Sequence, residues 1–261
     1  WNYPWVYWTK ERLDVNIRVF TIFPEMFEGP FTSSLLHKAR EKGILNIEII
    51  NFREYSQDKH KTVDDYPYGG GVGMVLKPEP IINALEDKID LSNNDQEVIL
   101  LTPQGKVFNQ QEAINLSTKK SLAFICGHYE GFDERIRKFV TKEYSLGDYV
   151  LTGGELPAMV IIDAVARLIP GVIKEKASFQ EDSFYTGLLE YPQYTRPRIF
   201  RELEVPDVLL SGNHERIRLW RKKEALRRTL FRRPDLLAKY QLTKEEEKLL
   251  KEIKEEDLKN G

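Results

Sequence analysis

The sequence predicts an α/β fold built on a mainly parallel sheet, followed along the chain by a smaller helical region. Three observations predict this. Apolar, β-rich runs at 17–23 (IRVFTIF), 44–52, 97–101 (EVILL), 122–126 (LAFIC) and 144–146 alternate with helical stretches. That alternation is the order of crossover helices between parallel strands. The first run is apolar at most positions rather than at every second one, as in a strand buried on both faces. Finally, the runs near 125 and 145 stop at Gly127 and Gly147. Glycine lets main chain approach a ligand without a Cβ in the way, so strands ending in such turns form a backbone-lined pocket.

Taken in order, the strand Ile17–Phe23 ends at Pro24, and Thr32 or Ser33 caps a helix through Lys42 that Gly43 terminates. Ile44–Phe52 is the next strand. The pattern then breaks from Arg53 to Leu76, where HKTVDDYPYGGGVGM (60–74) has no period and four glycines. Long irregular loops of this kind tend to be functional, the alternative being a mobile surface loop. Its glycines do not fit G-x-G-x-x-G, and G-x-x-x-x-G-K-[ST] is absent, so familiar nucleotide-phosphate chemistry is not supported. Pro78–Asp87 starts a helix. The strand Glu97–Leu101 is ended by Thr102-Pro103-Gln104-Gly105, and Asn109 with Glu112 starts a helix to Leu116.

The run 121–157 (SLAFICGHYEGFDERIRKFVTKEYSLGDYVLTGGELP) organises the rest. Asp133 caps a short helix, and Gly153-Gly154 open a long apolar helix, Glu155–Ile169, with Pro157 in its first turn. The polar, proline-bearing stretch after Lys174 reads as an interdomain linker. Ser211-Gly212-Asn213-His214 leads into a basic helix, Pro234 opens another, and Thr243 with Glu246 forms a capping box for a charged tail helix.

A length of 261 residues suits one large domain plus a smaller one. The single cysteine, Cys126, excludes a disulfide framework within the chain and fits a reducing cytoplasm. In its apolar run it reads as packing rather than nucleophile. No stretch approaches the roughly 20 apolar residues of a membrane-spanning helix. Residues 1–16, with five aromatics in the first eight positions, lack an h-region and are expected to be an extension outside the fold. The net charge of −2 argues against a uniformly basic nucleic-acid binder. However, His214–Arg233 carries nine Arg or Lys against two Glu, a local +7, which leaves −9 for the remainder. Such segregation suits a phosphate-contacting face, the alternative being a solvated helix face. His37, His60, His128 and His214 are scattered, with no H-E-x-x-H, C-x-x-C or G-x-S-x-G. Arg167 lies four residues after Asp163, where an ion pair is the plain reading, and Asp182 suits a turn or cap.

FPEMF (23–27), HKTVDDYPYGGGVGM (60–74), LTPQG (101–105), CGHYEGFDER (126–135), SLGDYVLTGGELPAM (145–159), ARLIPGV (166–172), EDSF (181–184), YTRP (194–197) and LLSGNHERIRLWR (209–221) stand in one order. Over residues 17–240 this order resembles bacterial tRNA (guanine-N1)-methyltransferases, which modify guanosine 37 beside the anticodon. The departures are His128 where arginine is common and Thr152 where serine is common.

The resemblance implies a SPOUT methyltransferase fold with a deep C-terminal trefoil knot and a small all-α C-terminal domain. It divides the chain into a catalytic domain 17–172, a linker 173–198 carrying a catalytic acid, and a tRNA-binding domain 199–261. S-adenosyl-L-methionine would be held by Pro103, Gly105, Gly127, Tyr129, Glu130 and Gly131. Leu146, Gly147, Asp148, Tyr149, Val150, Leu151, Gly153, Gly154 and Pro157 would complete that site. A Mg2+ ion would lie near Glu130. The resemblance further implies a homodimer with composite active sites, and tRNA as partner.

Guanine N1 carries a proton, so its attack on a sulfonium methyl needs a base, and negative charge then develops at O6. The resemblance gives these roles to Asp182 and Arg167. It also implies that the 60–74 loop contacts the anticodon stem through His60 and Asp64, Asp64 reading the neighbouring guanine, and that Arg216, Arg218, Arg221, Arg227 and Arg228 contact phosphates. Competing readings are a SPOUT enzyme acting on another nucleotide or a ribose hydroxyl, and an RNA-binding protein without catalysis.

Overall fold

A computed structural model describes residues 14–93, 95–173 and 182–260. They fall into two compact units that divide between Lys174 and Glu175.

The first unit is a five-stranded, wholly parallel sheet. β1 (Val15–Thr21) lies between β2 (Leu45–Asn51) and β4 (Ser121–Ile125). β3 (Gln96–Val107) lies beyond β4 and β5 (Lys142–Ser145) closes the edge, giving the order β2-β1-β4-β3-β5. In register, Ile17 stands opposite Ile47 and Leu122, while Ile99 stands opposite Phe124 and Lys142. The connections include α1 (Ser34–Glu41), α2 (Pro78–Lys88), α3 (Gln110–Ser117) and α4 (Glu155–Ala166). One core cluster joins Phe20 and Ile50, the α2 residues Ile81, Ala84 and Leu85, and Leu100, Ala123 and Ile125 of the central strands.

Local chemistry explains the boundaries. Gly43, at φ +65°, ends α1 in a conformation costly for a residue with a Cβ. Asn109 accepts the Glu112 N–H at 3.1 Å, whereas the Glu112 carboxylate accepts from Lys106 at 2.6 Å and from the Tyr144 hydroxyl. Asp133 caps the 3-10 turn Glu134–Phe139 through the Arg135 N–H at 2.9 Å. Cys126 is completely buried, and desolvation, with the nearby Glu155 charge second, pushes its thiol well up, which supports packing over nucleophilic chemistry.

Three boundaries differ from the sequence expectation. β1 starts at Val15, so the expected extension 1–16 gives its last two residues to the sheet, and its first thirteen lie outside the described residues. β3 runs on through 102–105 to Val107, with a register shift against β5 between Leu101 and Lys106. The TPQG segment is therefore a bulge within a strand rather than a strand end. The apolar helix ends at Ala166, and Leu168 and Ile169 continue as tight turns bonded to Val165 and Ala166, because Pro170 disfavours helix just before it.

The second unit contains α5 (His214–Arg232) and α6 (Lys244–Asn260), short helices at Asp207–Leu210 and Pro234–Leu237, and a hairpin of Ile199–Phe200 with Leu203–Glu204. Its core is Leu188, Leu226, Leu249 and Ile253. Leu188 comes from the stretch expected to be linker, and the adjacent Leu189 N–H donates to the buried Thr229 hydroxyl at 2.9 Å. The short run Leu188-Leu189 has no helical or strand period around it, so the sequence does not predict that packing. The Thr243–Glu246 box forms in both directions, at 2.8 and 3.3 Å. Among the described residues, no helix is long and apolar enough to cross a membrane.

Candidate functional site

Three adjacent strands, β4, β3 and β5, run parallel, and the segments that follow their apolar cores gather at one edge of the sheet. Ligands of open α/β sheets bind outside this carboxyl edge. After β4 the chain turns back at 127–132. Tyr129 adopts φ +59°, strained for a residue with a side chain, and the Gly131 N–H closes the turn on His128 O at 3.1 Å. The Phe132 ring fills the place of a Gly127 Cβ, which would lie 2.6 Å from it.

The segment after β5 returns to the same place. The Gly154 N–H donates to Gly127 O at 2.9 Å, and a Cβ on Gly154 would lie 2.7 Å from Cys126 Cα and 2.8 Å from Gly127 N. A Cβ on Gly105, in the β3 bulge, would meet the Glu143–Tyr144 backbone at 2.6 Å. Thus Gly127 and Gly154 come together while Gly105 packs on β5, with Pro103, Tyr129–Gly131, Leu146–Leu151, Gly153 and Pro157 on the same segments. Gly105 and Gly154 pack main chain against main chain, which only glycine permits, whereas Gly127 packs under a ring. The turns after β4 and β5 thus form a cradle along which the residues expected to hold a cofactor stand.

A buried network beneath the cradle escaped sequence reasoning. Glu155, the first residue of α4, is 0% exposed; its Oε1 accepts from the Thr21 hydroxyl at 2.6 Å and its Oε2 from His128 Nε2 at 2.8 Å. A buried carboxylate is tolerable because both oxygens are hydrogen-bonded and it sits at a helix N-terminus. The network ties the end of β1, the turn after β4 and the start of α4. It also explains Gly153, whose Cβ would collide with His128 Nε2. An acid opening the apolar run LPAMVII was the available signal.

The 60–74 loop is held at both ends. Asp58 accepts from the amides of His60 and Thr62 at 2.8 and 3.1 Å and from the Thr62 hydroxyl. These bonds, the Thr62 hydroxyl first, hold its carboxyl well below the ordinary range. Asp64–Asp65 pair antiparallel with Val75–Leu76. Asp64 is half-buried, His60 is exposed, and Tyr66, Tyr68 and Val72 project into solvent at 78%, 102% and 93% exposure. Around Glu130, no group of three or more His, Cys, Asp or Glu suited to a metal gathers among the described residues.

A family model described as tRNA (guanine-1)-methyltransferase TrmD matches residues 15–239. The chain belongs to that family. It is 59% identical over 242 residues to the tRNA (guanine-N(1)-)-methyltransferase of Dictyoglomus turgidum, covering 93% of this chain and 98% of the relative. The proteins of that name from Halalkalibacterium halodurans and Bacillus subtilis are each 56% identical, over 94% and 93% of this chain and 100% of each relative.

In this member of the tRNA (guanine-1)-methyltransferase family, the expected catalytic pair is split between the units. Arg167 follows α4 in the first unit, half-buried, its N–H bonded to Asp163 O at 3.3 Å. Asp182 belongs to the second unit, where its carbonyl accepts the Tyr185 N–H at 3.3 Å.

Sequence reasoning treated the basic helix as one cationic face, and the structure divides it. Arg218 binds Glu215 and Glu245 at 2.8 and 2.7 Å, Lys223 binds Glu256 at 2.7 Å, and Arg227 binds Glu256 at 2.6 Å. Arg221 lies over the Tyr191 ring at 4.8 Å. Among the described residues, Arg216, Arg228 and Arg232 have no carboxylate partner. The missed signal was the spacing of Glu245, Glu252 and Glu256, which puts three acids on one face of α6.

This pairing has a pH consequence. The Arg218 hydrogen bond, then that of Lys222, lowers Glu245 from 4.5 to about 2, and Glu246 and Glu256 are lowered too. A depressed carboxylate contributes stability that is fully present above its unfolded value and lost as pH falls through the folded one. Thermal unfolding followed by circular dichroism should therefore show a stability loss between about pH 4.5 and 2, and Glu245→Gln should flatten that loss. An identical acid profile in both proteins would refute the contribution of Glu245.

Proposed function

We propose that this chain transfers a methyl group from S-adenosyl-L-methionine to N1 of guanosine 37 in tRNA, in a G36-G37 context. The observation that carries the reading is the glycine cradle in a chain of this family: Gly105, Gly127 and Gly154 sit where any Cβ would strike backbone or ring atoms. When bound, S-adenosylmethionine supplies an electrophilic methyl group. The main chain of 103–105, 127–131 and 146–154 holds and orients it. Asp182 removes the N1 proton, and the Arg167 guanidinium stabilises the charge that develops at O6. A dry site strengthens both effects.

The 146–154 segment returns onto the end of β4, where the Gly154 N–H donates to Gly127 O, and the reading assigns this region to a trefoil knot. Leu156 and Val160, one helical turn apart on α4, are 49% and 51% exposed, and this supports a homodimer whose active sites combine both subunits. Arg216, Arg228 and Arg232 are the cations best placed for tRNA phosphates, and the reading assigns the protein to the cytoplasm. Incubation with labelled S-adenosylmethionine and unmodified tRNAs varied at positions 36 and 37, followed by mapping of the labelled base, tests it. Label confined to N1 of G37 is expected. Label on another nucleotide or on ribose would overturn the substrate, and no label at all would leave an RNA-binding protein.

A further inference from the structure

We infer that Gly73 is a positioning residue that couples occupancy of the 60–74 loop to the methyl-donor turn through the Glu130 side chain. The inference rests on the expectation that the loop, through His60 and Asp64, contacts tRNA, and on the proposed reading of 127–131 as a donor contact.

The two segments are physically joined. The Glu130 N–H donates to Met74 O at 3.0 Å, the Leu76 N–H to Gly131 O at 2.9 Å, and the Asp133 N–H to Leu76 O at 3.0 Å. Leu76 and Phe132 form a parallel bridge beside them. Gly73 adopts φ +91°, and a Cβ there would collide with Glu130 Cγ and lie 2.6 Å from its Oε1. The Glu130 side chain therefore occupies the space a residue at 73 would need. The loop tip just before this joint is exposed at Tyr68 and Val72, so a large ligand can reach it. Displacement of the tip has to move Gly73, and with it the Met74 carbonyl and the Glu130 side chain. Free-energy coupling is reciprocal, so donor occupancy must then alter tRNA affinity by the same factor.

Gly70 supplies an internal control: at φ +81° it carries comparable backbone strain, yet a Cβ there would meet nothing within 4 Å. The test titrates S-adenosylhomocysteine calorimetrically into the full chain, with and without unmodified tRNA. In the wild type, tRNA should change the affinity by about 5- to 100-fold, a normal size for such coupling. Gly73→Ala should bring that factor close to one, whereas Gly70→Ala should keep it. In a Glu130→Ala background, adding Gly73→Ala should change the factor no further, because the obstructed side chain is gone. Coupling retained in Gly73→Ala, or lost equally in Gly70→Ala, would overturn the inference. A wild type that methylates G37 but shows no coupling would sink the inference alone. A wild type that binds no S-adenosylhomocysteine under either condition would sink both it and the functional reading.

Discussion

Under the proposed mechanism, replacing Asp182 with asparagine is expected to lower methyl transfer to G37 by about a hundred- to ten-thousand-fold, the range that a positioned general base contributes. Asparagine keeps the shape of the side chain and loses only the ability to take a proton. Affinity for tRNA should be nearly unchanged, so the loss should fall on kcat rather than KM, as for an interaction made in the transition state. Arg167→Lys gives a companion measurement. Lysine retains charge but not the planar fork, so a site that uses two N–H groups on O6 should lose rate even with the charge in place. Single-turnover methylation with saturating tRNA separates chemistry from binding. Unchanged turnover in the asparagine variant would remove Asp182 as the base.

The second large effect is expected from Gly154→Ala. Its backbone is ordinary, at φ −83° and ψ −7°, so alanine brings no dihedral strain there. The added Cβ would lie 2.7 Å from Cys126 Cα and 2.8 Å from Gly127 N, and neither backbone atom can swing aside as a side-chain tip would. Overpacking of this kind costs about 1–3 kcal/mol, which as lost binding is roughly 5- to 150-fold. Donor affinity, measured with S-adenosylhomocysteine, should weaken by that factor as the 127–131 turn is pushed out of place. Gly212→Ala makes the contrast: φ is +67° but nothing lies within 4 Å, so only backbone strain is added, and donor affinity should hold. A Gly154→Ala protein that binds donor normally would refute the backbone cradle.

The sequence by itself determined the alternation of strands and helices, the caps at Asn109, Asp133 and Thr243, and the glycine-bordered turns after the central strands. Each of these depends on neighbours a few residues apart, and local spacing is what a sequence displays directly. It also displayed, through ordered motifs, the family to which the chain belongs.

Only the tertiary structure decided why particular glycines are needed. Gly105 meets Tyr144, Gly154 meets Cys126 and Gly73 meets Glu130 across separations of 28 to 57 residues. No periodicity encodes such encounters. Likewise, Thr21, His128 and Glu155 become one buried network only when three elements meet at the carboxyl edge of the sheet. The basic run of α5 looked like a single phosphate-binding face until α6 folded its acids against it. Charge is legible along the chain, but whether a charge is free to meet a ligand depends on which side chain the fold brings beside it.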